Sequence, residues 1–256
     1  TAVGYHAGRL VSTGIRNTFI GALAGDATTT ANNNTGVGYG ALTTNTTGTN
    51  LVAVGHSSLG ANTTGTSNVA VGNSSLGATT TGANNTAVGH SALEANTEGN
   101  SNVAIGQGAL DANTTADSNV AVGARSLTTN TTGSGNTAVG KDALYANTTA
   151  SYNTAVGQSA GGAITTGTQN AFIGAFAGDA LTDADYNVAV GYAALTTDTL
   201  GARNVAVGQE ALASQNFTSA TNSYNTAVGM NAGRLVSTGI QNTLIGGLAG
   251  DALTDA

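Results

Sequence analysis

The spacing of fifteen glycines constrains this chain more than any other feature of its sequence. Each of these glycines directly follows a Val or Ile, and successive glycines are 17 residues apart in every interval but one. The exception is the 21-residue interval from Gly208 to Gly229, where four residues are inserted. The repeat glycines are Gly4, Gly21, Gly38, Gly55, Gly72, Gly89, Gly106, Gly123, Gly140, Gly157, Gly174, Gly191, Gly208, Gly229 and Gly246. A period this strict predicts one small structural unit stacked on copies of itself.

The length of the repeat selects the type of unit. Two helices that pack on each other need roughly 30 residues or more, so a 17-residue unit cannot be a helical hairpin. Short runs of Thr, Val, Ala and Ile, bounded by Asn, Gly and Thr, are typical of strands and turns. The sequence therefore predicts an all-β protein, a parallel β-solenoid whose coils stack in register about 4.8 Å apart. We expect residues 1–256 to form one array of about 15 such coils.

The residue four positions before each repeat Gly is Asn in 13 of the 14 repeats where it is visible, with Leu51 as the exception. Asn repeated at one level of a solenoid forms a ladder of side-chain amides or occupies the left-handed region at a turn. Both interpretations assign the Asn residues a structural role.

The strand before each repeat Gly is apolar on both faces, which predicts that both faces are covered. We assign the Val and Ile column to the protomer core: Val54, Val71, Val88, Ile105, Val122, Val139 and Val156. The other face carries Ala in 11 of 15 repeats, and its small side chains suit close approach of a second chain. We therefore predict a homotrimer interface formed by Ala70, Ala87, Ala104, Ala121, Ala138 and Ala155. Where this column widens to Phe19, Phe172 or Leu244, we expect the three chains to be spaced differently.

Two types of coil differ at the position four residues after the repeat Gly. Most coils have Leu there and a polar residue three positions later, as in Leu93 and Asn96. The other type has Gly at the first position and usually an apolar residue at the second, as in Gly161 and Ile164, although Gly25 is followed by Thr28. The exchange predicts a packed interior of constant volume. The Gly-type coils come in consecutive pairs, and the near identity of the first and last pairs leads us to expect a segment of a longer fibre.

Composition excludes several classes of function. Six Lys and Arg residues against 13 Asp and Glu give a net charge of −7, which argues against nucleic-acid binding. No apolar run of 18 residues is present, so we predict that the chain does not span a membrane. The chain has no Cys, which excludes disulfide bonds. Abundant Asn, Thr, Ser and Gly with few Lys and Arg suit an extracellular, cell-surface or virion location.

The histidines offer no catalytic or metal centre. His56 and His90 both follow a repeat Gly and lie two coils apart, about 9.6 Å along the axis, which is too far to share one zinc ion. Their slot holds Tyr, Gln, Lys or Met in other coils, which is typical of an exposed position. Asp183 and Asp185 are best explained as solvated turn carboxylates. We therefore predict no enzyme activity, no cofactor and no metal site.

The four inserted residues fall within residues 213–224, which also carry Phe217 and Tyr224. These two aromatic residues define a candidate lateral contact loop for a sugar. Loops accept changes in length at small cost, which favours the alternative of a tolerated surface insertion.

The segments Asn85 to Gly89 and Asn102 to Gly106, Asn-Thr-Ala-Val-Gly and Asn-Val-Ala-Ile-Gly, carry a resemblance over the whole chain. The motif resembles the head repeats of YadA-like trimeric autotransporter adhesins and the similar repeats of bacteriophage tail fibres. The resemblance implies a left-handed parallel β-roll whose three copies intertwine or pack together. The coil of this chain is longer than that of the adhesin heads.

Together these observations predict a non-enzymatic structural shaft of a trimeric fibre, from a phage tail or a bacterial surface, involved in attachment to a host or surface. A cell-surface glycan or protein receptor would be bound through a tip outside this segment. The alternatives are an ice-binding solenoid, in which Thr pairs such as Thr63 and Thr64 order water, and a glycan-binding solenoid. Thermal hysteresis would identify the first alternative.

Overall fold

The computed structural model describes residues 1–255 and divides the chain into two compact units, Thr1–Arg125 and Ser126–Ala256. The residues described contain strands and turns and no helix. Each unit is a parallel β-solenoid built from 17-residue coils, which confirms the predicted fold class. The handedness of the coils and their packing as a homotrimer stay predictions.

In the first unit, eight strands pair in sequence order, all in parallel. They are β1 (Ala2–Val3), β2 (Thr18–Ile20), β3 (Thr35–Val37), β4 (Val52–Val54), β5 (Val69–Val71), β6 (Thr86–Val88), β7 (Val103–Ile105) and β8 (Val120–Val122). The register is constant, so that Ala53 pairs with Ala70 and Ala87 pairs with Ala104. Identical residues of successive coils therefore stack in columns.

The second unit has seven strands in the same arrangement and a separate short parallel pair. The seven are β9 (Thr137–Val139), β10 (Thr154–Val156), β11 (Ala171–Ile173), β12 (Val188–Val190), β14 (Val205–Val207), β16 (Thr226–Val228) and β17 (Thr243–Ile245). The pair is β13 (Gly201–Ala202) with β15 (Thr221–Asn222). The inserted residues thus form a local ladder beside the main sheet, and the coil returns to register at β16.

Each repeat Gly closes its strand in a conformation that side chains rarely adopt. Gly89, for example, has φ +137°, and a Cβ atom there would lie 2.6 Å from the carbonyl oxygen of Gly106 in the next coil. Both the dihedral angle and the close stacking of backbones require Gly. This physical constraint explains why Gly recurs at the same place in every coil.

The two faces of the strand are the reverse of those predicted from the sequence. The Ala column is completely buried inside the coil at Ala70, Ala87, Ala104, Ala121, Ala138 and Ala155. The Val and Ile column points outward: Val54, Val71, Val88, Ile105 and Val156 are 36–40% exposed, and Val122 and Val139 are partly exposed. The assignment of the Val and Ile residues to the protomer core was wrong, as was the outward orientation of the Ala residues.

The reason for this reversal lies in the Asn column, whose side chains point inward. Asn85 is buried, its Oδ1 accepts a bond from the Asn102 backbone N–H at 2.9 Å, and its Nδ2 donates to the Gly99 carbonyl at 2.8 Å. Because successive residues of a strand alternate sides, the residue two positions after Asn85, Ala87, also points inward. Only a small side chain fits there, since Leu93 is also buried in the same coil.

A second amide ladder lies beside the first in the Leu-type coils. Asn96 is buried, its Nδ2 donates to the Gly99 carbonyl at 3.0 Å, and its Oδ1 accepts from Asn113 Nδ2 at 2.8 Å. The Gly99 carbonyl therefore accepts from both Asn85 and Asn96. The Asn residues are structural, as predicted, and together they satisfy the buried backbone groups at the closing turn of the coil.

The Gly-type coils have a packing explanation that the sequence pattern only partly indicated. Phe172 points into the interior, where its ring occupies the space next to Gly161 and Gly178, in the preceding coil and its own. Phe19 does the same between Gly8 and Gly25. One inward Phe, together with buried apolar residues such as Ile164 and Leu181, thus takes the place of two Leu side chains and of the polar residues three positions after them, which is why Gly-type coils come in pairs. The expectation that Phe19 and Phe172 point toward another chain was wrong, because both rings are inside. The spacing of chains at these coils stays untested.

Candidate interaction surfaces

The outward face of the main sheet is an uncharged stripe in each unit, with one column that is apolar throughout. It combines the Val and Ile column with a second outward column three residues before each repeat Gly, which contains only Thr, Val and one Ala. We call these two columns together the sheet-face stripe. A continuous apolar stripe of this kind is typical of an interaction surface, whereas isolated exposed apolar residues are not.

His56 and His90 lie where the sequence predicts, on exposed positions after a repeat Gly. The His56 ring stacks on Tyr39 with a centroid distance of 5.4 Å. Near His90, burial and the neighbouring carboxylate of Glu94 raise the pKa of Asp111, while His90 opposes that rise. Residues 1–255 contain no group of three or more His, Cys, Asp or Glu side chains placed to hold a metal ion.

The insertion is anchored to the interior rather than projecting freely. Phe217 is buried, so its assignment to a lateral contact loop was wrong, whereas Tyr224 is exposed. Asp198 is fully buried in the slot that Asn96 has in its own coil. Its two carboxylate oxygens accept bonds from the backbone N–H groups of Gly201 and Phe217 and from Gln215 Nε2 at 3.0, 3.2 and 2.6 Å, respectively.

The Thr pairs proposed to order water do not form a two-column surface. Thr63 is partly buried and its hydroxyl donates to the Thr80 carbonyl of the next coil at 3.0 Å. Only the second member, Thr64, is exposed. The hydroxyl groups of the first column therefore belong to the backbone ladder.

Sequence reasoning missed one exposed column, which directly precedes the Asn column in the second unit. It contains Tyr152, Tyr186 and Tyr224, with Arg203 between the last two. The Arg203 Cζ atom lies 4.5 Å from the centroid of the Tyr186 ring and 5.8 Å from that of Tyr224. The sequence signal that could have revealed this column is that each of these residues directly precedes a repeat Asn.

Comparison with known proteins gives no match to a family model, to a curated protein or to a solved structure. In residues 1–255, no helix has the length and apolar character needed to cross a membrane.

Proposed function

We propose that this chain is a non-enzymatic structural shaft of a homotrimeric fibre, a phage tail fibre or a bacterial surface adhesin, that takes part in attachment at a cell surface or virion. The observation that supports the proposal is the sheet-face stripe. It is uncharged and repeated in every coil, and its Val and Ile column leaves a regular line of partly exposed apolar side chains in water on a lone protomer.

A second copy of the same chain is the partner that fits this stripe best. Two solenoids with the same coil height present side chains at the same interval, so contacts made at one level are repeated at all others. A threefold axis along the stack gives each copy the same closed environment. We therefore assign the proposed trimer interface to the outward Val and Ile column instead of the Ala column predicted from the sequence.

The interior supports a structural role rather than catalysis. Ladders of Asn amides and backbone bonds fill the coil, and the buried carboxylate of Asp198 is bonded to backbone and Gln215 donors. Repeated identical coils give mechanical continuity without a specialised cleft.

Light scattering on the purified chain tests the proposal, with a trimer expected at micromolar concentration. The variant Val88→Arg with Ile105→Arg places three copies of each charge in the proposed interface and should dissociate it, with the β-sheet circular dichroism retained. Thr64→Arg, on an exposed loop position, is the matched control and should remain trimeric. A folded wild-type monomer would contradict the proposal, as would an arginine double variant that stays trimeric.

Ice binding is the second candidate, and the structure favours a different surface for it than the Thr pairs. Eight of the fifteen residues three positions before a repeat Gly are Thr, and they share the outward sheet face with the Val and Ile column. A regular Thr and Val array on a sheet suits ordered water. Thermal hysteresis that is lost in Thr86→Arg would favour this function over the fibre shaft.

A further inference from the structure

Two columns of side chains lie along the edges of the sheet-face stripe, and we call them the first and second edges. The first edge is the residue directly before each position of the Asn column, and the second edge is the two residues directly after each repeat Gly. Arg203 lies on the first edge of its coil, and Glu210 lies on the second edge of the same coil. The strand β14 (Val205–Val207) lies between them, so neither edge completes the other within one chain.

The proposed threefold axis brings the two edges together between chains. Rotation about an axis parallel to the stack carries one chain onto the next without a change in height. With the three sheet faces turned inward, the first edge of each chain meets the second edge of its neighbour at the same coil. The edges therefore form the seams between neighbouring chains.

The sheet-face stripe alone leaves the relative height of the chains undetermined. One of its columns carries Val or Ile at every coil, and the other carries almost only Thr and Val. A shift of one chain by one coil, about 4.8 Å, therefore keeps nearly all of the contacts that the stripe can make. A ring of three chains closes only when no such shift accumulates. Side chains that differ from coil to coil are needed to fix the height, and the two edges carry them.

The Arg203 side chain on the first edge is held ready for an anionic partner. Its Cζ atom lies 4.5 Å from the Tyr186 ring centroid and 5.8 Å from that of Tyr224, and its Nε donates to Asn222 Oδ1 at 3.1 Å. These contacts fix the plane of the guanidinium, while residues 1–255 offer its terminal nitrogen atoms no hydrogen-bond acceptor. A planar guanidinium with a free edge suits a carboxylate.

Glu210 supplies the opposite charge on the second edge of the same coil. Its side chain is 32% exposed, and its Oε2 lies 3.7 Å from Arg234 Nη1, which is too far for a hydrogen bond. The Asp185 carboxylate, in the coil before that of Arg203, is directed elsewhere: its Oδ1 accepts bonds from the backbone N–H and the hydroxyl of Thr168, one coil further back. Each chain therefore carries an incompletely paired cation and anion at one height.

Large exposed side chains match across the two edges in the adjacent coils. The coil before that of Arg203 has Tyr186 on its first edge and Tyr192 on its second, and the coil after it has Tyr224 and Met230. All four side chains are 45–54% exposed. Because the guanidinium covers one face of Tyr186 and of Tyr224, the outer edge of each ring is the part left to pack against another chain.

We propose that Arg203 pairs with Glu210 of the neighbouring copy in the trimer, and that Tyr186 and Tyr224 pack against Tyr192 and Met230 of that copy. This seam rests on the homotrimer of the proposed function and adds to it a device that fixes the height of the chains. An ion pair flanked by two apolar contacts is satisfied at one height only, because a shift by one coil places Arg203 opposite Tyr192 or Met230.

Charge reversal tests the ion pair, with dissociation of the trimer measured by light scattering over a range of protein concentrations. Arg203→Glu and Glu210→Arg should each raise the concentration at which the trimer dissociates by about tenfold or more, because three pairs of like charges then face each other. The variant with both changes should associate as the wild type does. Glu98→Arg, at an exposed position on neither edge, is the matched control for Glu210→Arg and should leave association unchanged.

Carbodiimide coupling tests which side chains meet across the seam. Arg203→Lys places an amine beside Glu210 of the neighbouring copy, so coupling should give a covalent trimer on a denaturing gel and a cross-linked peptide that contains position 203 and Glu210. Arg203→Lys with Glu210→Gln should give neither. A folded monomeric wild type would contradict the homotrimer, and the seam with it. If the wild type is trimeric but the double reversal does not restore association, or the expected cross-link is absent, the seam alone is refuted.

Discussion

Exchanging one buried Phe for two Leu side chains provides the sharpest test of how the interior is packed. Phe172 is completely buried, and Cβ atoms at Gly161 and Gly178 would lie 2.6 and 2.5 Å from its ring carbons. The two glycines have φ values of 57° and 58°, close to the value of 49° at Leu144 in the preceding coil. Leu is therefore excluded from both positions chiefly by the ring, and a smaller side chain in place of Phe172 should make room for it.

The expected free energies of unfolding follow from this geometry. Phe172→Ala leaves a cavity and should cost about 3–5 kcal/mol. Gly161→Leu with Gly178→Leu in the wild-type background should cost at least about 2–3 kcal/mol, because overpacking and left-handed strain act in the same direction. In the Phe172→Ala background the same two changes should instead stabilise by about 1–2 kcal/mol, since burial of each Leu exceeds its strain. The effect of the two Leu substitutions should thus reverse sign.

Denaturant unfolding at fixed protein concentration measures the global effect, and native-state hydrogen exchange measures the local one. The amides of Thr154 and Ala171, which donate to the Asn170 and Asn187 carbonyls at 2.8 Å, report on the coils concerned. If the two Leu substitutions destabilise both backgrounds equally, the ring does not determine the Gly-type coils and the packing explanation is refuted.

Three further outcomes are expected. Asn85→Ala should cost about 2–4 kcal/mol, since it leaves the buried N–H of Asn102 without its acceptor, and hydrogen exchange at Asn102 should accelerate; unchanged protection would contradict the ladder. His56→Ala and His90→Ala should each change stability by less than about 0.5 kcal/mol in thermal unfolding, because both are exposed; a larger loss would indicate a hidden role. The raised pKa of Asp111 means that the folded state binds its proton more tightly than the unfolded state, so stability should fall as pH rises from the usual 3.8 through the raised value. Asp111→Asn should therefore be more stable than wild type at pH 7 and equal to it below about pH 3. A difference in stability between the two proteins that does not vary with pH would count against the burial of that carboxyl group.

Part of the interior could have been derived from the sequence with one further step. The orientation of the strand depends on the side chain of the preceding Asn, as at Asn85. An Asn directed inward places Ala87 inside and Val88 outside by simple alternation. Without an orientation for the Asn side chain, hydrophobicity alone favours placing the larger residue, Val, inside.

The contact between Tyr186 and Arg203 could not be derived from composition or periodicity. Tyr186 and Arg203 occupy a position that otherwise varies freely, and their ring contact depends on the stacking of coils and on Asn222 from the insertion. Likewise, Phe217 and Tyr224 are close in sequence, but only Tyr224 is exposed. Local sequence does not distinguish these two environments.

The sequence alone determined the coil length, the parallel in-register stacking and the structural role of Asn, because each follows from a strict period and from residue types with narrow conformational preferences. The tertiary structure decided which face of each strand is inside, since this depends on how Ala87, Leu93 and the two Asn ladders share one narrow interior. It also decided that Phe172 fills the space of two Leu side chains in adjacent coils. Packing between coils joins residues that no local pattern relates, and it is therefore visible only when the chain is folded.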